Sequence, residues 1–591
     1  MSSQPPAPQD PKTSARKKPE ELRSHRWFGM GPFSFEHSAH AKQAGYGAEE
    51  FEGRPVIGIV NTWSDMNPCH AHLRSRAEAV RRGVWQAGGF PVELPAMSLG
   101  EGFVKPTTML YRNFLAMETE ELLRCHPVDG AVLLGGCDKT TPGLLMGALS
   151  MDLPSLYVPA GFTLASEFRG ERLGSGTGAF RWAPELMKGG ITYDDWKVIE
   201  QRSWSSPGTC NTMGTASTMT ALAEVLGLSL PGASSVPAMD SEGQRLAAAA
   251  GRRAVELVWE DLRPSRIIGE SSVQNAARVS VALGGSTNAA IHLLAIARRA
   301  GVEFGLDDFD AIGRTIPVLA NILPSGKYLM PDFYLAGGLP ALLGELREQL
   351  DLDAMTVTGA SLGENIAGGE VAADKRDVIR PLADPVATEA LAVLRGNLAP
   401  EGCVIKPSAA SKELMRHRGR AVVFEGQADL EARLHDPSLD VDASSVLVLR
   451  GAGPLGGPGM AEVGMLPIPF KLVQAGIKDM VRISDARMSG TSYGTCVLHV
   501  SPEAHVGGPL ALVRDGDEIE LDVGARALTL HVSEEELAER RAAWTRPEPH
   551  YERGWGRIFL EHVSQAHEGC DFDVLANRAA TPEPEIHRKG G

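Results

Sequence analysis

Short apolar runs and longer amphipathic stretches alternate through the first part of the chain. RPVIGIV (54–60), PVELPA (91–96) and GAVLLGG (130–136) are strand-sized and bounded by glycine, proline or polar residues. Runs of that length and composition predict buried strands. Between them, HLRSRAEAVRRGVWQAGG (72–89), MLYRNFLAMETEELLRC (109–125) and PGLLMGALSM (142–151) read as helices, the first stopped by a Gly-Gly pair. This alternation predicts a parallel α/β layer, and such layers collect ligands at the carboxyl ends of their strands.

From about 205 to 370 the pattern turns mainly helical, most clearly in TASTMTALAEVLGL (215–228) and NAAIHLLAIARRAG (288–301). After about 385 the texture changes to short β-rich runs with glycine turns: SSVLVLRG, MVRISDAR, CVLHVS and LALVRDGDEIELDVGARALTLHV. Alternation in the last of these predicts a hairpin over 515–532, and Ser533 with Glu536 predicts a capping box opening a late helix. The expected organisation is a tail over 1–25, an α/β domain over 26–385, a β-barrel or sandwich over 386–577 and a short tail over 578–591.

Composition narrows the function classes. The chain has 591 residues, too many for one core. Its formal net charge is −16, which speaks against a broad nucleic-acid surface. No apolar run is long enough for a membrane span or a secretory segment. Seven cysteines without close pairs point to a reducing, cytoplasmic setting rather than a disulfide framework.

Three of those cysteines sit in loops rich in Gly, Pro or Thr: Cys69 in SDMNPCH, Cys137 in LLGGCDKTTPG and Cys210 in SPGTCNTMGTASTM. They lie 68 and 73 residues apart, so only the tertiary fold can bring them together. Either they are separate thiols or they share a metal centre; the lack of a CxxC pair disfavours a zinc ribbon. Cys125, Cys403, Cys496 and Cys570 read as small buried hydrophobes. A small-residue helix following Cys210 would favour a thiolate there. Glu101, Asp138 and Glu462 are hard oxygen donors suited to Mg²⁺, or else exposed acids. Lys139 beside such a cation must turn away, pair with Asp138, or lose its charge as a carbamate. Ser489 precedes Gly490, as at a sharp turn, and a serine there acts as a base only with help from a metal or a helix terminus.

Together these stretches resemble the family that includes dihydroxyacid dehydratase and phosphogluconate dehydratase. The resemblance runs from about residue 26 to 575 through GRPVIGIVNTWSDMNPC, GGCDKTTPGLLMGA, GTCNTMGTASTM, GGSTNAAIHLLAIA, LPSGKYLM, RGNLAPEG with KPSAAS, GGPGMAEVG and SDARMSGTSYGT. Its sugar-acid branch, acting on L-arabinonate and similar pentonates or hexonates, is the nearest. The resemblance implies an α/β domain plus a C-terminal β-barrel, assembled as a homodimer or homotetramer. It implies a [2Fe–2S] cluster on Cys69, Cys137 and Cys210, with [4Fe–4S] in other members. It further implies Mg²⁺ on Glu101, Asp138, a carbamylated Lys139 and Glu462, and a catalytic Ser489 assisted by Thr491. The implied reaction is loss of water from a small-molecule sugar acid to give a 2-keto-3-deoxy acid.

Three departures leave the particular aldonate open. His70 follows Cys69 where asparagine is expected, the Glu101 loop reads GEGFVKPT, and 157–178 lacks the family's GGPM-like turn. Two other readings stand beside the sugar-acid one. The first, dihydroxyacid dehydration in branched-chain amino-acid synthesis, is disfavoured by SDARMSG in place of a TDGRFSG-like form. The second, a non-enzymatic iron–sulfur carrier or sensor, normally takes four protein ligands.

Overall fold

The computed structural model describes residues 16–29, 34–575 and 582–586. Four parallel strands form the first sheet in the order β2-β1-β3-β4: β1 Val56–Asn61, β2 Phe90–Pro95, β3 Gly130–Gly135 and β4 Ser155–Pro159. Every residue of β1, β3 and β4 is buried, which accounts for their near-continuous apolar reading. Helices Leu73–Gln86, Met109–Cys125 and Thr140–Met151 connect the strands where helical spacing placed them. Helix Ser241–Glu260 packs on Leu73–Gln86 so closely that a Cβ on Gly83 would lie 1.9 Å from Ala248 O. A hairpin of β5 (Ser166–Phe168) and β6 (Glu171–Leu173) carries a separate small core with Ile191 and Ile199.

The second domain is a closed barrel of eight strands, β7 Ala392–Gly396, β8 Ala399–Ile405, β9 Arg416–Glu425, β10 Val446–Arg450, β11 Arg482–Ser484, β12 Cys496–Ser501, β13 Glu518–Asp522 and β14 Ala527–Leu530. They close in the order β10-β11-β12-β8-β7-β14-β13-β9, with β9 meeting β10. The β13–β14 hairpin lies where alternation placed it.

The structure departs from the sequence reading in four places. Leu510–Val513, read as part of a β run, begins in the 3₁₀ turn Pro509–Leu512, where proline opens the turn after two glycines. Ser533 does cap helix Glu534–Ala543, but the Glu536 carboxylate goes to Arg540 and leaves the capping box half made. Cys125 is exposed, because its helix ends at the surface; Cys403, Cys496 and Cys570 are buried as read. Residues 16–25 pack rather than trail: Leu22 is buried, and Arg23 donates to the carbonyls of Arg124, His126 and Val128. Residues 582–586 pair back onto them, through Glu583 with Arg23 and Arg26. The first 15 residues, 578–581 and 587–591, also read as tails, lie outside the described residues.

Candidate active site

The loops leaving β1, β2 and β3 at their carboxyl ends carry Cys69, Glu101 and Cys137–Lys139. Gly136 must be glycine for this, since a Cβ there would come 2.5 Å from that of Ala160. Cys210 arrives from the chain after β4. Its loop is held by Thr209 N–H on Gly161 O at 2.9 Å and by Gly208, whose φ of +126° suits glycine alone. The expected helix behind Cys210 starts only at Thr215, with Gly214 as its cap. Its N-terminal N–H groups therefore do not activate this thiol, and burial, followed by Asp138 and Cys137, pushes the Cys210 thiol up.

The three thiols converge. Cys69 hydrogen-bonds Cys137, which raises its pKa, and burial and the charges of Cys137, Cys210 and Asp138 raise it further. All three are free of disulfides. Cys137 is buried and Cys69 and Cys210 are half-buried, and free thiols so grouped suit a soft metal centre, which would bind by displacing their protons. Asp138 directly follows Cys137 in the chain and pairs with Lys139, so the thiol loop and the carboxylate group are adjacent.

At the carboxylate site Lys139 has no exposed surface, and three acids surround its Nζ: Glu462 Oε1 at 2.8 Å, Asp138 Oδ2 at 3.4 Å and Glu101 Oε2 at 3.4 Å. Two of these acids come from the α/β domain and one from the barrel domain. Burial and Arg487 oppose the charge on Lys139, but the three carboxylates outweigh them and hold its pKa above the usual lysine value. Burial pushes the Asp138 carboxyl up to about 6 despite Lys139. Burial also opposes the charge on Glu462, yet Lys139 and Arg487 outweigh it and hold its pKa below the ordinary value. Among the described residues no three His, Cys, Asp or Glu side chains form a ready-made metal cage; at the carboxylates, the ammonium stands where a cation would. The donor set suits a hard divalent ion once the lysine gives up its positive charge, as a carbamate does.

Residues that sequence reading had not singled out hold this centre. Arg487, fully buried, donates to Glu462 Oε1 at 2.8 Å, to Met460 O at 2.7 Å and to Thr107 Oγ1 at 3.2 Å. Thr107 donates to Glu101 Oε1 at 3.0 Å, and Thr108 reaches Glu101 Oε2. Asn288 Nδ2 lies within 3.1 Å of Glu462 Oε1, Thr215 Oγ1 and Met488 O, so one amide links the carboxylates to the residue before Ser489. Asn288 lies in GGSTNAAIHLLAIA and Arg487 in SDARMSGTSYGT, which was the available signal.

Ser489 is partly exposed and its Oγ lies 2.9 Å from Thr491 Oγ1. The turn lies flat on the start of helix Thr215–Val225: a Cβ on Gly490 would come 2.5 Å from Thr215 N. The barrel domain thus presents a hydroxyl pair to a site built mostly on the α/β domain.

An α/β layer with converging thiols and carboxylates, completed by a serine turn from a barrel, is the architecture of a two-domain enzyme. The chain belongs to the dihydroxy-acid/6-phosphogluconate dehydratase family, whose N-terminal model matches residues 54–365 and whose C-terminal model matches 377–570. It is a hydro-lyase accordingly. It is 54% identical to 6-deoxy-6-sulfo-D-gluconate dehydratase of Pseudomonas putida, over 97% of this chain and 99% of the relative. Identity to L-arabinonate dehydratase of Rhizobium leguminosarum bv. trifolii is 50%, over 94% and 96%. To a dihydroxy-acid dehydratase of Caldanaerobacter subterraneus it is 40%, over 88% and 94%.

Proposed function

We propose that this enzyme dehydrates a sugar acid, L-arabinonate or a similar pentonate or hexonate, to a 2-keto-3-deoxy acid. The observation that carries the reading is the convergence of three carboxylates from two domains on one buried point, together with the three thiols and the Ser489–Thr491 hydroxyl pair. The relatives support the substrate class, since identity is higher to the sulfogluconate and arabinonate dehydratases, at 54% and 50%, than to the dihydroxy-acid dehydratase, at 40%.

Cys69, Cys137 and Cys210 would hold a [2Fe–2S] cluster, or a [4Fe–4S] cluster, with no fourth protein ligand, while Glu101, Asp138, carbamylated Lys139 and Glu462 would hold Mg²⁺. When bound, these groups supply Lewis acidity at the departing 3-hydroxyl and at the oxygens of C1 and C2. The chain's own part is proton movement and positioning. Ser489 Oγ removes the proton from C2, with Thr491 steering its hydroxyl from 2.9 Å. Ser489 acts as its alkoxide, and the proton it takes from C2 goes on to the departing 3-hydroxyl, which leaves as water. The enol then loses its 2-hydroxyl proton and gains one from solvent at C3 to become the 2-keto acid. Arg487 and Asn288 fix Glu462, and Thr107 and Thr108 fix Glu101, so the carboxylates need little reorganisation when the substrate arrives.

The protein would work as a homodimer or homotetramer. Met66, Phe103 and Trp204, all on loops that carry site residues, are between 51% and 64% exposed, as residues awaiting a second copy are. No described helix is long and apolar enough to cross a membrane, and the free cysteines fit a reducing cytoplasm.

The test is a panel of pentonates, hexonates, 6-sulfo-hexonates and 2,3-dihydroxyisovalerate, assayed for 2-keto acid with anaerobically prepared, magnesium-loaded enzyme. The expected result is at least a hundredfold higher kcat/KM for one aldonate than for dihydroxyisovalerate. The reverse order contradicts the proposal.

A further inference from the structure

His70 stands between the two strand-end loops that carry Cys69 and Cys137, and it has no exposed surface. The backbone N–H of Cys137 donates to its Nε2 at 3.0 Å. A backbone N–H can only donate, so Nε2 must offer its lone pair and the ring proton must sit on Nδ1. Nδ1 lies 2.9 Å from Thr62 O, which accepts that proton. Thr62 is tied in turn to the end of β3, its Oγ1 donating to Leu134 O at 2.7 Å. One imidazole therefore spans from the residue just past β1 to the residue that carries the second thiol. Because its Nε2 lone pair is already engaged, His70 is not a fourth donor despite its place beside Cys69.

We propose that His70 is a positioning residue for the iron–sulfur centre: it fixes the Cys137 backbone relative to the Cys69 loop, and so sets the spacing of the two thiols. This rests on the three-thiol reading above.

Two substitutions separate the halves of the clamp. His70→Gln places an acceptor near the Nε2 position and so retains the Cys137 bond. His70→Asn retains a donor near Nδ1 for Thr62 O but is too short to reach Cys137. The measurement is iron and sulfide per chain after anaerobic reconstitution, the visible and EPR spectra, and the rate of iron loss to a chelator, with circular dichroism to establish folding. His70→Asn is expected to lose iron about 10–100-fold faster than wild type, with an altered EPR signal, while His70→Gln stays within about threefold. A folded His70→Asn that keeps iron and spectrum like wild type overturns the proposal. So does a folded His70→Gln that loses iron rapidly, and this arm decides the matter if His70→Asn does not fold. Wild-type protein that takes up no iron contradicts the cluster reading itself, which is a different result from equal iron in all three proteins.

Discussion

A lysine amine sealed among three carboxylates is the residue-scale feature on which the site turns. Glu462 is its nearest partner, and Arg487 and Asn288 share that same oxygen. Replacing Arg487 with Met removes the guanidinium paired with Glu462 and the donor to Thr107, leaving Glu462 to Lys139 and Asn288 alone. Removing one member of a buried pair costs about 3–5 kcal/mol, so urea unfolding of the metal-free variant should show a loss of that size. Glu462→Gln removes a charge that Mg²⁺ would need, and at least a tenfold rise in the magnesium required for half-maximal activity is expected in a titration. Cys69, Cys137, Cys210, Glu101, Asp138, Lys139, Glu462 and Ser489 stood out as candidates in the sequence because each sits in a loop between clear elements. Arg487 and Asn288 were not: a buried arginine looks like any surface arginine in sequence, and an asparagine opening a helix looks like a cap.

Among the elements, the loop over 451–460 positions Glu462 and is itself anchored from a distance. Glu503, just past β12, accepts the N–H groups of Leu455 and Gly456 and the side-chain amide of Gln565. Burial, with Asp485 adding to it, pushes the Glu503 carboxyl up to about 7, against those donors. The folded state thus holds this proton more tightly than the unfolded chain, whose glutamate titrates near its ordinary 4.5. The associated stability is fully present below about pH 4.5 and is lost as pH rises through about 7, by about 3 kcal/mol in all. Glu503→Gln should flatten that part of the stability–pH curve relative to wild type, measured by denaturation at pH 5 and pH 8; an unchanged difference between the two pH values counts against it. Strands β10 to β14 of this frame were readable as short β-rich runs, whereas β7, β8 and β9 were not singled out. The Leu510–Leu512 run reads as β but is not a strand, because its apolarity comes from packing inside a turn rather than from a ladder.

At the scale of the whole molecule, the chain returns from the barrel to close on the α/β domain. Helix Gly554–His562 and the residues after it bring Phe559 and Phe572 into one cluster with Met109, Leu110 and Ile291. Arg299 and Asp571, both without exposed surface, form a two-pronged pair at 2.8 and 2.9 Å. The two domains should therefore melt in one calorimetric transition, and Asp571→Ala should lower stability by about 3–5 kcal/mol by stranding a buried guanidinium. Two separated transitions in the wild type would contradict this coupling. The change of texture near 385 marked the passage to a β-rich region that forms the barrel, but nothing local marks Asp571 as the partner of a residue 272 positions earlier.

Ser489, presented by the barrel domain, is proposed above to take the proton from C2 of the substrate. This role is tested most directly by turnover of an accepted aldonate, with hydrogen or deuterium at C2, by wild type and Ser489→Ala, both carrying full iron, sulfide and magnesium. The account predicts a primary isotope effect in the wild type and a loss of about 10²–10⁴-fold in kcat for the variant, with its cluster spectrum unchanged. A Ser489→Ala enzyme that turns over within a few-fold of wild type, with its metals intact, would contradict it.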